Sequence, residues 1–143
     1  MGTTTPASIT FRLGNDLSLD DVIDVYVRST LGERRPVDDR MRMAQMLETA
    51  NLVVTAWDGD KLVGIARCLT DFAYATYLSD LAVDLEYQKQ GIGRELVRQV
   101  QQAVDPRSNV ILLAAPAATD YYPRIGMTQH PSAWFIRGDE PLT

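Results

Sequence analysis

Within the 143 residues, one stretch combines residue types and spacing suited to binding a phosphate or pyrophosphate: Gln88-Lys89-Gln90-Gly91-Ile92-Gly93. It joins an apolar run, Tyr77-Leu78-Ser79-Asp80-Leu81-Ala82-Val83, to a segment where Ile92, Leu96, Val97, Val100 and Val104 recur at helical spacing. A glycine-interrupted turn that opens a helix leaves backbone N–H groups without intrahelical partners, at the positive end of the helix dipole. Gly91 and Gly93 lack a Cβ, so an anion can approach the main chain closely, and Lys89 and Arg94 add positive charge. The Gly-x-x-x-x-Gly-Lys-Ser/Thr loop of nucleotide hydrolases is absent. The dinucleotide fingerprint needs a third glycine where Leu96 stands, and it belongs after a first strand. Gln/Arg-x-x-Gly-x-Gly/Ala fits every fixed position. A glycine-capped turn that binds nothing fits the loop equally well.

Asp80 is the second residue with chemical potential. A carboxylate inside an apolar strand is costly without a partner, so it has either a partner or a function. It accepts a substrate proton, through water, or it ties neighbouring loops by hydrogen bonds. Asp84, at the strand end, reads as a turn residue. Cys68 reads as a small buried hydrophobe, since His130 is the one histidine that could activate it, and His130-Pro131 has the character of a surface loop.

Composition narrows the class. Hydrophobic content of 45% and charged content of 23% are those of an ordinary globular protein, the length suits a single domain, and the order of elements below makes it α/β. Fourteen Lys and Arg against 19 Asp and Glu give a formal charge of −5, which argues against broad nucleic-acid binding. A lone cysteine excludes an internal disulfide framework and fits a reducing compartment. No apolar run nears the ~20 residues that span a bilayer. Residues 1–5 show neither a basic nor an apolar leader region, so the expectation is a cytoplasmic protein, with no metal assigned.

The elements that must position these residues follow in order. Ser8 to Leu13 alternates as a strand. Ser18 is an N-cap with Asp20 and Asp21 behind it, and Leu19, Val22, Ile23, Tyr26 and Val27 form a helical stripe. Arg34-Arg35-Pro36 lies in a loop. Asp38 or Asp39 starts a second helix, whose Met43, Met46, Leu47 and Ala50 face the core. Leu52 to Trp57, the turn Asp58-Gly59-Asp60 and Lys61 to Thr70 make a hairpin, with Gly64 marking a bulge or a close approach. Asp105-Pro106 stops the long helix. Asn109 to Ala115 reads as a central apolar strand, Ala133 to Arg137 as a last strand, and the tail beyond Gly138 as loose.

This order, with three motifs, resembles the GCN5-related N-acetyltransferase superfamily. Gln88 to Gly93 matches its pyrophosphate loop. Lys61-Leu62-Val63-Gly64-Ile65-Ala66 is similar to its third-strand "lvG" run, and Tyr121-Tyr122-Pro123-Arg124-Ile125-Gly126-Met127 to its "FYeklGF" segment. The resemblance covers about residues 8 to 137. It implies a mixed, mostly antiparallel twisted sheet of six to seven strands flanked by about four helices. It also implies acetyl-CoA as acyl donor, its pyrophosphate on the amides of Gln88, Lys89, Gln90, Gly91, Ile92, Gly93 and Arg94. Pantetheine would lie along Leu81, Ala82 and Val83, with a freed amide, that of Leu81, polarising the thioester carbonyl as an amine attacks to form a tetrahedral intermediate. Tyr122 would donate the proton to the leaving thiolate, Asp80 would be one candidate for the base, and Tyr121 would pack on the core or the cofactor. Tyr26, Arg34, Arg35, Phe72 and Tyr77 would line the acceptor wall, for a primary amine of a small molecule or peptide, with Arg34 and Arg35 either pairing an anionic substrate group or standing in a solvated loop. A homodimer follows by analogy alone. Two departures stand out: Ala114-Ala115-Pro116-Ala117 replaces a segment that often carries a cofactor-contacting asparagine, and Pro123 follows Tyr122 directly. A non-catalytic acyl-CoA-binding module is the alternative of a different class.

Overall fold

The fold was obtained as a computed structural model that describes Pro6 and residues 8–143; the segment 1–5, on which the missing leader was read, lies outside them. The chain divides into two compact units, residues 1–113 and 114–143. In the first, strand β1 (Ile9–Leu13) is followed by helices α1 (Leu19–Arg28) and α2 (Arg40–Thr49), with a 3₁₀ turn Leu31–Arg34 between them. Strands β2 (Leu52–Asp58), β3 (Lys61–Thr70) and β4 (Ala75–Val83) come next, then helix α3 (Ile92–Gln102) and strand β5 (Asn109–Ile111). The second unit holds a 3₁₀ turn, Pro116–Ala118, and the single-turn helix α4 (Tyr121–Arg124).

Local chemistry places the helix starts where the sequence predicts them. Ser18 Oγ accepts from the Asp21 amide at 3.4 Å, and Asp39 Oδ1 from the Arg42 amide at 3.1 Å, each satisfying an orphan donor of a first turn. The sheet runs β1-β2-β3-β4-β5, antiparallel except for the β4–β5 pair. Its two faces are covered by different helices. Ile65 and Ala82 point into a core with Val22, Val25 and Tyr26 of α1 and Met43 and Leu47 of α2. Gly64, the neighbour of Ile65 and so on the opposite face, points at Ile92 and Leu96 of α3.

Three expectations are corrected. Among the described residues the sheet has five strands, not six to seven. Residues 133–137 form no strand, and Trp134 and Phe135 are exposed, because no ladder partner stands beside them within the second unit. The strand expected over 109–115 shrinks to Asn109–Ile111 and lies at the sheet edge, not its centre. β5 pairs only with Ala75, Thr76 and Tyr77, so the residues after Ile111 have no neighbour to continue the ladder. Strand continuity needs a partner as well as an apolar run.

Gly64 serves a close approach. A Cβ there would stand 3.2 Å from Leu96 Cδ1 and 3.3 Å from both Ala56 Cβ and Ile92 Cγ2. Gly64→Val is therefore expected to lower unfolding stability by ~1–3 kcal/mol through overpacking between the sheet and α3, read as a lower denaturant midpoint at unchanged slope.

Candidate active site

The site begins at an irregularity in the β3–β4 ladder. Cys68 lies opposite Leu78 but Arg67 lies opposite Asp80, so Ser79 is an extra residue on β4. Such a bulge reverses the side-chain alternation. Leu78 shares the face of Cys68, whereas Asp80, two residues on, shares the face of Arg67 and the α1–α2 layer. Asp80 thus enters a helix-covered core, 1% exposed.

Burial alone would raise the Asp80 pKa; the Arg67 charge and hydrogen bonds from Tyr26, Arg67 and Arg35 outweigh it and hold the carboxyl below its usual range. Arg67 Nε donates to Oδ2 at 2.5 Å and Arg35 Nε to Oδ1 at 2.6 Å. Tyr26 Oη donates to Oδ2 at 2.5 Å and Ser79 Oγ to Oδ1 at 3.2 Å. Burial, with the Asp80 charge, pushes the Tyr26 phenol strongly up, so it stays a donor. Arg67 and Arg35 also reach the bulge residue itself: Arg67 Nη2 donates to Ser79 Oγ at 2.9 Å, Arg35 Nη2 to Ser79 O at 2.8 Å.

Past Tyr77, β4 has no β5 partner, so among the described residues its stretch up to Val83 carries no strand ladder on that side as it leads toward the glycine turn. That turn is anchored from several sides. Asp84 is buried, its amide donates to Val63 O at 2.8 Å, and its carboxylate takes hydrogen bonds from Arg28 and from the Glu86 amide. Tyr87 Oη donates to Asp58 Oδ2 at 2.6 Å, and Gln88 Nε2 to Val83 O at 3.0 Å. Left-handed backbone at Lys89 (φ 63°) and Gly91 (φ 79°) folds the loop onto α3. Glu95 N is the first amide to close on the helix, to Gly91 O at 3.0 Å, so the N–H groups of Ile92, Gly93 and Arg94 have no i−4 carbonyl. Lys89 and Arg94 are exposed beside them. An open strand edge leading into a helix N-terminus suits an extended amide chain that ends in a diphosphate.

The sequence-predicted residues separate into groups. Tyr26 meets Asp80 but has no accessible surface, so it acts on that carboxylate and not on an acceptor wall. Arg34 is exposed at the end of the 3₁₀ turn, while its neighbour Arg35 turns inward. Tyr77, 39% exposed, is the last β4 residue paired with β5. Phe72 lies elsewhere: its carbonyl accepts from the Asp105 amide beyond the C-terminus of α3, and it lines a shallow cavity of about 320 Å³ with Leu13, Asn51 and Ala103. It is removed from the glycine turn by the length of α3, roughly 16 Å. Burial pushes the Cys68 thiol up to about 12, so it stays protonated and inert.

Tyr121 and Tyr122 stand in the second unit, rings edge to face at 5.2 Å. Pro123 falls in the only turn of α4, where its missing N–H has no bond to lose, and the Met127 amide still closes on Tyr122 O at 3.1 Å. Sequence reasoning missed Arg67, which in a strand of small and apolar residues was the signal that Asp80 has a charged cross-strand partner.

Comparison with known proteins names this arrangement. The model of the acetyltransferase (GNAT) domain matches residues 27–137, and the chain belongs to that family. It is 29% identical over 129 residues to an uncharacterized N-acetyltransferase, ycf52-like, of Prochlorococcus marinus, covering 85% of this chain and 70% of that one. It is 37% identical over 73 residues to the chloroplastic GCN5-related N-acetyltransferase 2 of Arabidopsis thaliana, covering 50% of this chain and only 28% of that longer protein. The aminoglycoside N-acetyltransferase AAC(6')-Iy, solved in complex with CoA, shares the fold at a TM-score of 0.69 and 16% identity, over 92% of this chain and 95% of its own. Among the described residues no helix is long and apolar enough to cross a membrane.

Replacing Asp80 leaves two guanidinium groups facing a neutral side chain. Asp80→Asn is expected to cost ~3–5 kcal/mol of unfolding stability. Because the folded carboxyl titrates below its unfolded value of about 4, its contribution is complete above that pH and is lost as the pH falls through the folded pKa. Denaturation midpoints of wild type should therefore fall on acidification below pH ~4, and those of Asp80→Asn should fall less steeply.

Proposed function

We propose that this chain transfers an acetyl group from acetyl-CoA to a primary amine of a small molecule or peptide. The observation that carries the reading is the open β4 edge from Leu78 to Val83, which runs without interruption into the anchored glycine turn and the N-terminus of α3. When bound there, the acyl donor supplies an activated thioester. The amides of Ile92, Gly93 and Arg94, with Lys89 and Arg94 beside them, hold its diphosphate. The edge at Leu81 to Val83, unpaired by β5, would pair with its pantetheine amides, and the Leu81 amide would orient and polarise the carbonyl that the amine attacks. The CoA complex of an aminoglycoside acetyltransferase with this fold supports the donor.

Asp80 serves this reaction as an anchor of β4. Both of its oxygens are engaged by cations or hydroxyls, and a carboxyl held below its ordinary range is a weak base toward an ammonium. Tyr122 donates the proton to the departing thiolate, a role that rests on its place in the matching Tyr121–Met127 segment.

The test is thermal unfolding with and without acetyl-CoA, followed by thiol release with a panel of primary amines. Acetyl-CoA at a hundred times its Kd should stabilise wild type by ~2.7 kcal/mol. Gly93→Asp, which sets a carboxylate on the first turn of α3, should keep its ligand-free midpoint but lose that response. Tyr122→Phe should keep the response and lose turnover on the order of a hundredfold. No response in wild type at millimolar acetyl-CoA overturns the proposal. Stabilisation without thiol release from any amine points to a binding module.

A further inference from the structure

We infer that Arg35 is a positioning residue, which fixes the Ser79 bulge and with it the direction of the open β4 edge. The inference rests on the acyl-transfer reading above. Arg35 lies just past the 3₁₀ turn between α1 and α2, far in sequence from β4, yet four of its contacts define the bulge and its own backbone. Nε donates to Asp80 Oδ1 at 2.6 Å and Nη2 to Ser79 O at 2.8 Å, while Nη1 is steadied by Arg34 O at 2.8 Å. The Arg35 amide closes on Gly32 O at 3.4 Å, tying the side chain's origin to the turn.

The consequence follows from peptide geometry. Ser79 C=O and Asp80 N–H belong to one planar trans unit and point in opposite directions, so a guanidinium on the carbonyl also sets the amide. That plane precedes the Leu81 amide by one residue, and beyond it the β3 ladder, with Ala66 opposite Leu81, carries the strand direction onward. The bulge is also where β4 has already left β5, so no neighbouring ladder on that side can hold the strand in place. Arg67 assists from β3 through Ser79 Oγ and Asp80 Oδ2, but it belongs to the same hairpin and is buried. Arg67 also reaches Met46 O of α2 at 3.0 Å, so Arg35 differs in holding the bulge from the connection between α1 and α2, with a side chain that keeps 22% exposure. Two arginines against one aspartate also leave the cluster one positive charge in excess, next to the edge where negative charge develops during attack on a thioester.

Arg35→Lys keeps the charge but offers a single point donor in place of a fork, so it cannot bridge Asp80 Oδ1 and Ser79 O in the same geometry. Arg35→Gln removes the charge as well. With the amine that wild type turns over fastest, both variants should lose kcat on the order of tenfold to a hundredfold. The KM for acetyl-CoA should change by less than about threefold, since the diphosphate site is untouched. Amide exchange measured by mass spectrometry on the ligand-free protein should accelerate in residues 78–83 and stay unchanged in β1 and β2. Unchanged kcat in both variants, or lost kcat with unaltered exchange in residues 78–83, overturns the inference. Wild type inert toward every amine would defeat the acyl-transfer reading instead. Exchange alone would then decide, with equal protection of residues 78–83 in Arg35→Gln and wild type counting against Arg35.

Discussion

A carboxylate that folding carries into a helix-covered layer must be neutralised, and the structure around Asp80 is arranged by that requirement. Its neighbours come from separate elements of the first unit: Tyr26 from α1, Arg35 from the α1–α2 segment, Arg67 from β3, with Arg67 also donating to Met46 O of α2 at 3.0 Å. Breaking such a cluster strands buried charge, so each element is held against the others more firmly than apolar contact alone would hold it. The apolar layer of Val22, Val25, Met43, Leu47, Ile65 and Ala82 supplies the non-directional part of the packing. The Asp80 cluster supplies the directional part.

That direction is what the proposed site depends on. The Ser79 bulge turns Asp80 toward the helices, just past Tyr77, where the pairing of β4 with β5 ends. A strand edge left open in an unprotected place would be a liability, but here it is short and leads into a glycine turn backed by Asp84, Tyr87 and Gln88. Gly64 brings α3 close to the sheet, so that the helix start lies near the end of the edge. In the proposed reading the recognition surface is main chain, which is compatible with the apolar side chains at Leu81, Ala82 and Val83.

Much of this was legible in the chain. Ser18 and Asp39 announced their helices because capping is a local hydrogen bond between residues three apart. Gly91 announced its turn because few residues adopt a left-handed backbone, and Gly64 announced a close approach because only a missing Cβ permits one. The apolar run at 110–113 was legible as extended chain but not as an edge, since its place in the sheet depends on where β4 stops pairing. The run at 133–137 misled for a similar reason: hydrophobic alternation describes a strand, and only a neighbour makes one.

By itself the sequence determined the helix caps, the hairpin, the glycine turn on α3 and the family, all of which rest on contacts within a few residues or on a contiguous motif. The tertiary structure decided the rest. It decided that Asp80 is an ion-paired anchor, since neither Arg35, Arg67 nor Tyr26 is near it in the chain. It decided that Tyr26 is buried and Phe72 remote from the glycine turn, since helical and loop residues acquire a location only when their element packs. Above all it decided the reversal at Ser79, because one extra residue in a ladder changes which face a side chain takes, and register is a property of two strands together.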